Sequence, residues 1–322
     1  MLESSPGDLY GMTEMHRRSL LRLAMVTLAA VLTQALGNGN AEAADKLKAV
    51  ASFSILGDML HQVGGDRVEA MTLVGPNGDG HVYEPTPTDA KHLSEAKLLV
   101  INGLGFEGWI SRLEQSLGFK GLVITASKGV KPQQMTEEDH GKPKQVTDPH
   151  AWQSLANGRL YAENIRDGLI QADPEGRATY EANATKFIAT IETLEQQVKA
   201  AIEKVPPAKR KIITSHDAFG YFGAAYGIQF IAPQGVSTES EASAKDVAKI
   251  IRQIKAEKIP AVFLENFSDP RLLEQISRET GAKIGGYLYS DALSEASGPA
   301  PTYLEMFRHN VKTLTATLPT SG

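Results

Sequence analysis

The sequence predicts an α/β protein with two four-stranded parallel-sheet lobes joined by one long rigid helix. Three observations lead to this fold class. Short apolar runs alternate with helix-like stretches before residue 128, at the spacing typical of parallel βαβ units. The same alternation restarts after residue 210. Between the two series lies a stretch of about thirty residues with helical periodicity and no internal proline.

Residues 1–43 are predicted to be a signal peptide that is cleaved on export. A basic stretch, MHRRSLLR, precedes an apolar run, LAMVTLAAVLTQALG, that is short for a membrane span. Ala41-Glu42-Ala43 supplies an A-x-A cleavage site, so the mature chain is expected to begin near Ala44. A membrane anchor is the alternative, but small residues follow the run as they do at cleavage sites.

The first lobe is predicted over residues 44–172. Its strands are expected at 48–54, 68–75, 97–103 and 121–127, and its helices at 55–64, 86–96 and 107–117. Thr86 or Thr88 is a suitable N-cap for the second helix. Residues 128–149 contain Lys, Pro, Gln, Glu and Gly without apolar periodicity, so we expect a long exposed loop there.

The linking helix is predicted over residues 173–205, after one further helix that closes the first lobe. Eight apolar residues step by three or four along it and predict one buried stripe: Tyr180, Ala184, Phe187, Ile188, Ile191, Leu194, Val198 and Ile202. The second lobe is predicted over residues 206–322. Its strands are expected at 211–215, 228–233, 261–267 and 283–290, and its helices at 218–227, 244–258, 270–280 and 302–318.

The composition argues against several classes of protein. The net charge is −5 and no basic patch stands out, so nucleic-acid binding is a poor hypothesis. The chain contains no cysteine, which excludes disulfides and thiolate metal ligands. The lipid-acceptor cysteine of a bacterial lipoprotein is therefore also missing. Together with the predicted signal peptide, this favours a free periplasmic protein over a lipoprotein.

Four side chains that can bind a metal follow the predicted carboxyl ends of strands, where open α/β sheets place their sites. They are His81, His150, His216 and Asp291, two in each half of the chain. Three imidazoles and one carboxylate suit zinc, and four protein ligands favour holding an ion over activating a water molecule. Each histidine taken alone could equally be a solvated loop residue, so spacing leaves the question open.

Other polar residues are candidates for supporting roles. Glu265 ends a predicted strand and is expected to orient one of the ligating imidazoles, although a solvent-exposed carboxylate fits the pattern nearly as well. Asn102 and Glu84 are expected to order the loops around His81. His140 is a possible accessory metal contact in the polar tract.

Five stretches carry a family resemblance: GDGHVYEPTPTD, INGLGFEGW, DPHAW, SHDAFGYF and YSDALS. In order and spacing they resemble the signatures of the metal-binding solute-binding proteins of bacterial ABC transporters that import zinc or manganese. The resemblance covers about residues 48 to 318. It implies one ion in the cleft between the lobes, with His81, His150, His216 and Asp291 as ligands. Zinc proteins of this family commonly have His at the third position and manganese proteins Glu, so His216 implies zinc.

The resemblance predicts high-affinity periplasmic binding of zinc and its delivery to an ABC-transporter permease by a monomeric protein that is not an enzyme. One departure concerns the tract KPQQMTEEDHGKPKQ, which holds a single histidine where many zinc members are His-rich. This leaves room for loading by a periplasmic zinc chaperone. The alternatives are a manganese- or iron-delivering protein of the same class, an exported metallohydrolase and an adhesin.

Overall fold

The computed structural model describes residues 45–139 and 142–318. The predicted signal peptide, residues 1–43, and the candidate His140 lie outside these ranges. The described chain forms two four-stranded sheets and one two-stranded sheet. Both four-stranded sheets are parallel throughout, and helices connect their strands. The predicted α/β fold class is therefore confirmed.

The first sheet has the strand order β2-β1-β3-β4. Its strands are β1 (Leu47–Phe53), β2 (Val68–Val74), β3 (Leu98–Ile101) and β4 (Leu122–Thr125). Its helices are α1 (Ser54–Gly64), α2 (Pro87–Glu95), α3 (Ile110–Leu117) and α4 (Leu155–Ala172). All but one residue of β1 are buried, which explains its nearly continuous apolar run. Thr86 is the N-cap of α2 and forms a capping box with Asp89, so the first of the two predicted caps is correct.

The second sheet has the strand order β10-β9-β7-β8. Its strands are β7 (Lys211–Ile213), β8 (Gln229–Ile231), β9 (Ala261–Glu265) and β10 (Lys283–Leu288). Its helices are α6 (Gly220–Tyr226), α7 (Ala244–Glu257), α8 (Arg271–Thr280) and α9 (Tyr303–Thr317). Every residue of β9 is buried, so the carboxylate that ends this strand is placed inside the protein.

The long helix α5 (Arg177–Glu203) separates the two series of strands. Its 27 residues extend about 40 Å at 1.5 Å per residue. Seven of the eight apolar residues in its predicted stripe are buried, and the eighth, Ile188, is half-buried against the core. Helix α5 packs against α1 and α4, which precede it in the chain, and against α6 and α9, which follow it.

The residues from Lys46 onward pack as one compact unit. The predicted division of the chain at residues 172 and 205 therefore remains a prediction. Below, "first half" means the described residues before α5 and "second half" those after it. Within the described residues, no helix is both long enough and apolar enough to cross a membrane.

The prediction of a long loop over residues 128–149 is wrong. Two antiparallel strands, β5 (Gln134–Asp139) and β6 (Lys142–Thr147), form a hairpin there. Polar side chains pair across it, with Gln134 donating to Thr147 and Gln145 donating to Thr136. The alternation of apolar and polar residues that marks a half-buried strand is therefore absent, although the backbone ladder is complete.

Candidate metal centre

The four candidate ligands lie together where the strands of both sheets end. His81 follows β2 and His150 follows the hairpin, whereas His216 follows β7 and Asp291 follows β10. One ligand atom from each lies within 4.8 Å of the others. All four side chains are buried, which places the cluster inside the protein. The fold thus brings together residues that are 66 or more positions apart in the sequence.

The distances between the ligand atoms fit a small divalent ion. His81 Nε2 lies 3.2 Å from His150 Nε2, and Asp291 Oδ2 lies 3.3 Å from His81 Nε2. Asp291 Oδ2 is also 3.1 Å from His216 Nε2, and Asp291 Oδ1 is 3.6 Å from His150 Nε2. Tetrahedral ligands bound to zinc at about 2.0–2.1 Å are separated by roughly 3.3–3.4 Å. The observed separations bracket that value.

In two of the imidazoles a carboxylate lies next to Nδ1, the ring nitrogen opposite the one that faces the cluster. Asp148 Oδ1 lies 2.8 Å from His150 Nδ1, and it also accepts the backbone N–H of His150. Glu265 Oε2 lies 2.8 Å from His216 Nδ1, and Oε1 accepts the backbone N–H of His216. Each carboxylate favours a proton on Nδ1, which leaves the Nε2 lone pair free to bind an ion.

The buried charges shift the titration of the cluster. Burial opposes protonation of His150, but Asp291 and Asp148 outweigh it and raise its pKa to about 9. Burial likewise opposes protonation of His216, but Glu265 and Asp291 raise its pKa well above the usual value. For His81 burial prevails and lowers the pKa. Burial would raise the pKa of Asp291, but His150 and His216 hold it well below its usual range.

An unpartnered oxygen provides an independent test of whether a cation fits. Asp291 Oδ1 is buried and has no hydrogen-bond partner among the described residues. A buried carboxylate oxygen without a partner is costly, because it loses its contacts with water. A divalent ion between the three imidazoles and Asp291 would satisfy it, and the donor set of nitrogen and oxygen atoms matches such an ion.

The three residues predicted to support the ligands differ in what they contact. Glu265 contacts His216 as described above. Asn102 Nδ2 donates to the Pro149 carbonyl, so it holds the residue before His150, and among the described residues no hydrogen bond joins it to the segment of residues 79–86. Glu84 is exposed, and among the described residues it has no hydrogen bond or ion pair with the cluster. Water can hydrate this carboxylate, so it has no need of a partner in the site.

Sequence reasoning missed Asp148 and Phe106. Asp148 stands two residues before His150, and the local D-P-H order is the signal that could have identified it. An aspartate in this position can reach the backbone N–H two residues on, as an Asx-turn does. Phe106 packs its ring edge-to-face with the His81 ring, at a centroid distance of 4.6 Å. Trp152 packs beside His150 and donates its indole N–H to the Ser290 carbonyl.

Comparison with known proteins yields a family match over residues 49–317, to the family described as "Zinc-uptake complex component A periplasmic". The manganese-binding lipoprotein MntA of Halalkalibacterium halodurans is 32% identical, over 87% of this chain and 91% of that protein. The iron-binding protein YfeA of Yersinia pestis is also 32% identical, over 88% of this chain and 90% of that protein.

Solved structures show the same relationship. The periplasmic zinc-binding protein TroA from Treponema pallidum superposes with a TM-score of 0.78 at 29% identity, over 84% of this chain and 99% of that chain. The manganese-bound periplasmic metal-binding protein from Candidatus Liberibacter asiaticus gives a TM-score of 0.75 at 33% identity. The match covers 85% of this chain and 100% of that chain.

The family match covers most of the chain, and the two relatives cover 87% and 88% of it. These proteins are named for manganese, iron and zinc, which agrees with a buried cluster of imidazoles and a carboxylate. Proteins of this kind bind a metal outside the cytoplasm and present it to a transporter, and they are not enzymes. This chain therefore belongs to the family of metal-binding substrate-binding proteins of ABC transporters.

Proposed function

We propose that this protein binds zinc in the periplasm and delivers it to the membrane permease of an ABC importer. The ligands in this proposal are Nε2 of His81, His150 and His216 and the carboxylate of Asp291. The observation that carries it is that these buried ligand atoms all lie within 4.8 Å of one another, with four of the separations between 3.1 and 3.6 Å. With three nitrogen donors and one carboxylate, the set is the kind that zinc prefers.

Delivery of manganese or iron by the same site is the second candidate. Two relatives at 32% identity are named for manganese and for iron. The structure adds that both oxygens of Asp291 face the histidines. A carboxylate that binds through both oxygens would give three nitrogen and two oxygen ligands, and manganese favours oxygen-rich sites. Zinc remains our proposal because the third ligand, His216, is an imidazole where the manganese proteins commonly have Glu.

The proposal also covers the protein's location, its assembly state and the way in which it is loaded. Several relatives are named as lipoproteins, but this sequence contains no cysteine to accept a lipid. We therefore propose a free periplasmic monomer that is exported with a cleaved signal peptide over residues 1–43. The polar tract before His150 has one histidine, so we propose that a periplasmic zinc chaperone can load the site.

Competition between metals tests the choice of ion. Metal-depleted protein is mixed with equal total concentrations of zinc and manganese, and the bound metal is measured after removal of the free ions. We expect stoichiometric zinc. Stoichiometric manganese under these conditions would reject zinc in favour of the second candidate.

Single substitutions test the ligands. His81→Ala, His150→Ala, His216→Ala and Asp291→Ala should each weaken zinc binding by more than about 100-fold, the upper end of the effect of altering a group behind a ligand. His61→Ala is the matched control, because His61 is exposed on α1 and lies outside the cluster. Tight binding that survives in all four variants would reject the site.

A further inference from the structure

We propose that Asp79 and Thr238 form a latch across the cleft, and that this latch sets the rate at which the bound ion enters and leaves. The inference rests on the proposed role of His81 as a ligand. It concerns the segment of residues 75–80, which leads from the end of β2 to His81. In the latch, the Thr238 hydroxyl donates to Asp79 Oδ2 at 2.7 Å.

Asp79 is a positioning residue that joins the two halves at the ligand itself. Its Oδ1 atom accepts the backbone N–H of His81 at 2.9 Å, while Oδ2 accepts the hydroxyl of Thr238 from the second half. One carboxylate therefore holds both the ligand's main chain and the opposite wall of the cleft. Loss of the bond to Thr238 removes the tie between Asp79 and the second half, although the segment keeps its other bonds to that half.

Two further hydrogen bonds tie the same segment to the second half. The Asn77 N–H donates to the Leu293 carbonyl at 2.9 Å, two residues beyond Asp291. The Asn266 side-chain amide donates to Asn77 Oδ1, also at 2.9 Å. Asn77 itself has a left-handed backbone with φ of 55°, which asparagine tolerates better than most residues. The segment thus bridges the loops that carry His81 and Asp291.

The His81 side of the cluster is the part nearest to solvent. His81 is 5% exposed, whereas His150, His216 and Asp291 are 0% exposed. His150 and His216 each have a carboxylate on Nδ1, but among the described residues His81 pairs with no acid other than Asp291. The least supported ligand therefore sits at the most accessible position, and an ion leaves most readily when this segment moves.

The first half retains its hold on the segment when the latch opens. Trp109 Nε1 donates to the Gly80 carbonyl at 2.8 Å, next to His81. Gly80 also lies close under Phe106, where an added Cβ would be 2.6 Å from the ring. The segment consequently stays with the first half, and the bonds that must break are those with Thr238, Asn266 and Leu293.

A matched pair of substitutions isolates the latch. Thr238→Val keeps the shape of the side chain but loses the hydroxyl, whereas Thr238→Ser keeps the hydroxyl. Each protein, as the full exported chain, is loaded with zinc and mixed with excess chelator, and release is followed by stopped-flow fluorescence. We expect release about fivefold faster for Thr238→Val, the size expected for one lost hydrogen bond, and unchanged for Thr238→Ser.

The dissociation constant separates a latch from a general structural role. An ion passes the same segment in both directions, so opening the latch should accelerate capture as well as release. The dissociation constant of Thr238→Val should then change less than the release rate does. Equal release rates for the wild type and both variants would overturn the latch and leave metal binding intact. A wild-type protein that holds no zinc would instead reject the proposed function.

A second variant keeps the test decisive should Thr238→Val fold poorly. Asn266→Ala removes another bond to the segment, and Asn266 is not part of the cluster. It should also accelerate release without a matching loss of affinity. If the melting temperature shows that Thr238→Val is misfolded, unchanged release in Asn266→Ala overturns the proposal.

Discussion

Glu265 Oε2 lies 2.8 Å from Nδ1 of His216, while Oε1 of the same carboxylate accepts the backbone N–H of His216 at 3.0 Å. The Ser215 N–H donates to Oε1 as well, at 2.8 Å. Glu265 ends β9, the neighbour of β7 in the sheet, and His216 follows β7. The sheet therefore sets both the position and the ring orientation of this histidine before any ion arrives.

Glu265→Gln should weaken zinc binding by about 10- to 100-fold, the usual effect of altering the group behind a ligating histidine. The neutral amide cannot match the pull of a carboxylate on the Nδ1 proton, so the imidazole becomes a poorer donor. Chelator competition measures the affinity. Glu257→Gln is the control, because Glu257 pairs at the surface with Lys211, which begins β7, whereas His216 follows the other end of that strand. Equal affinities for both variants would contradict the role of Glu265.

Zinc affinity should rise with pH through the neutral range, because the surrounding carboxylates raise the pKa of His150 to about 9. The pKa values of His150 and His216 are both raised, which favours an extra proton on each ring in the metal-free protein. Each must lose it to bind an ion, so binding releases protons and acid weakens it. His81, whose pKa is lowered, contributes none near neutral pH. Calorimetry in buffers of different ionisation enthalpy counts the released protons, and a count near zero at pH 7 would refute this assignment.

Gly220→Ala should weaken zinc binding by about tenfold through Asp148, in the range of a disturbed supporting group. An added Cβ would lie 2.4 Å from Asp148 Oδ2, and the other oxygen of this carboxylate is fixed by His150. The side chain cannot yield without turning the His150 ring. At Gly108 the nearest atom to an added Cβ would be 3.9 Å away, so Gly108→Ala is the matched control. Equal affinity for the two variants would show that Asp148 adapts freely.

Zinc should raise the melting temperature of the wild type by roughly 5 °C or more at 100 times the dissociation constant, since an ion that binds only the folded state stabilises it. Asp291→Ala should lose this response, because it removes the carboxylate that balances the histidines. Differential scanning calorimetry with and without the ion provides the measurement. If the melting temperature of Asp291→Ala still rises as much on adding zinc as that of the wild type, the ion binds elsewhere.

The overall dimensions should change little when the ion binds. Helix α5 packs against helices of both halves, and Ser54 and Asp58 of α1 accept backbone N–H groups of Leu293 and Tyr303. These contacts are buried or half-buried, so wide opening would break them. Small-angle scattering of metal-free and zinc-loaded protein should give the same radius of gyration within error. A marked compaction on adding zinc would contradict this expectation.

Much of the fold could be predicted because the helical periodicity and the apolar runs of the buried strands are clear in the sequence. The buried stripe of α5 steps by three or four residues, and β1 and β9 are apolar runs bounded by polar residues. The hairpin β5–β6 could not be predicted in this way. Its strands are paired by backbone and polar side chains, so no apolar face marks them.

The sequence led us to expect the four central side chains near one another, because each follows a predicted strand, and the structure does bring them together. Strand position alone left their role open, and the family resemblance supplied it. The groups behind them were only partly predictable. Glu265 ends a buried strand and could be inferred, whereas the partner of Asn102 is a main-chain carbonyl that no pattern of side chains reveals. The Asp79–Thr238 contact joins residues 159 positions apart and depends on how two loops meet.

The separation of the ligands along the chain has a consequence for when the ion can be acquired. His81 and His150 are 69 positions apart, and His216 and Asp291 are 75 apart. Closing a loop of about 70 residues in an unfolded chain costs roughly 4 kcal/mol of conformational entropy, and gathering the four side chains requires three such closures. A nascent or truncated polypeptide offers only isolated imidazoles, so tight loading reports that both sheets have assembled. Tight ion binding thus distinguishes fully folded chains from nascent or truncated ones.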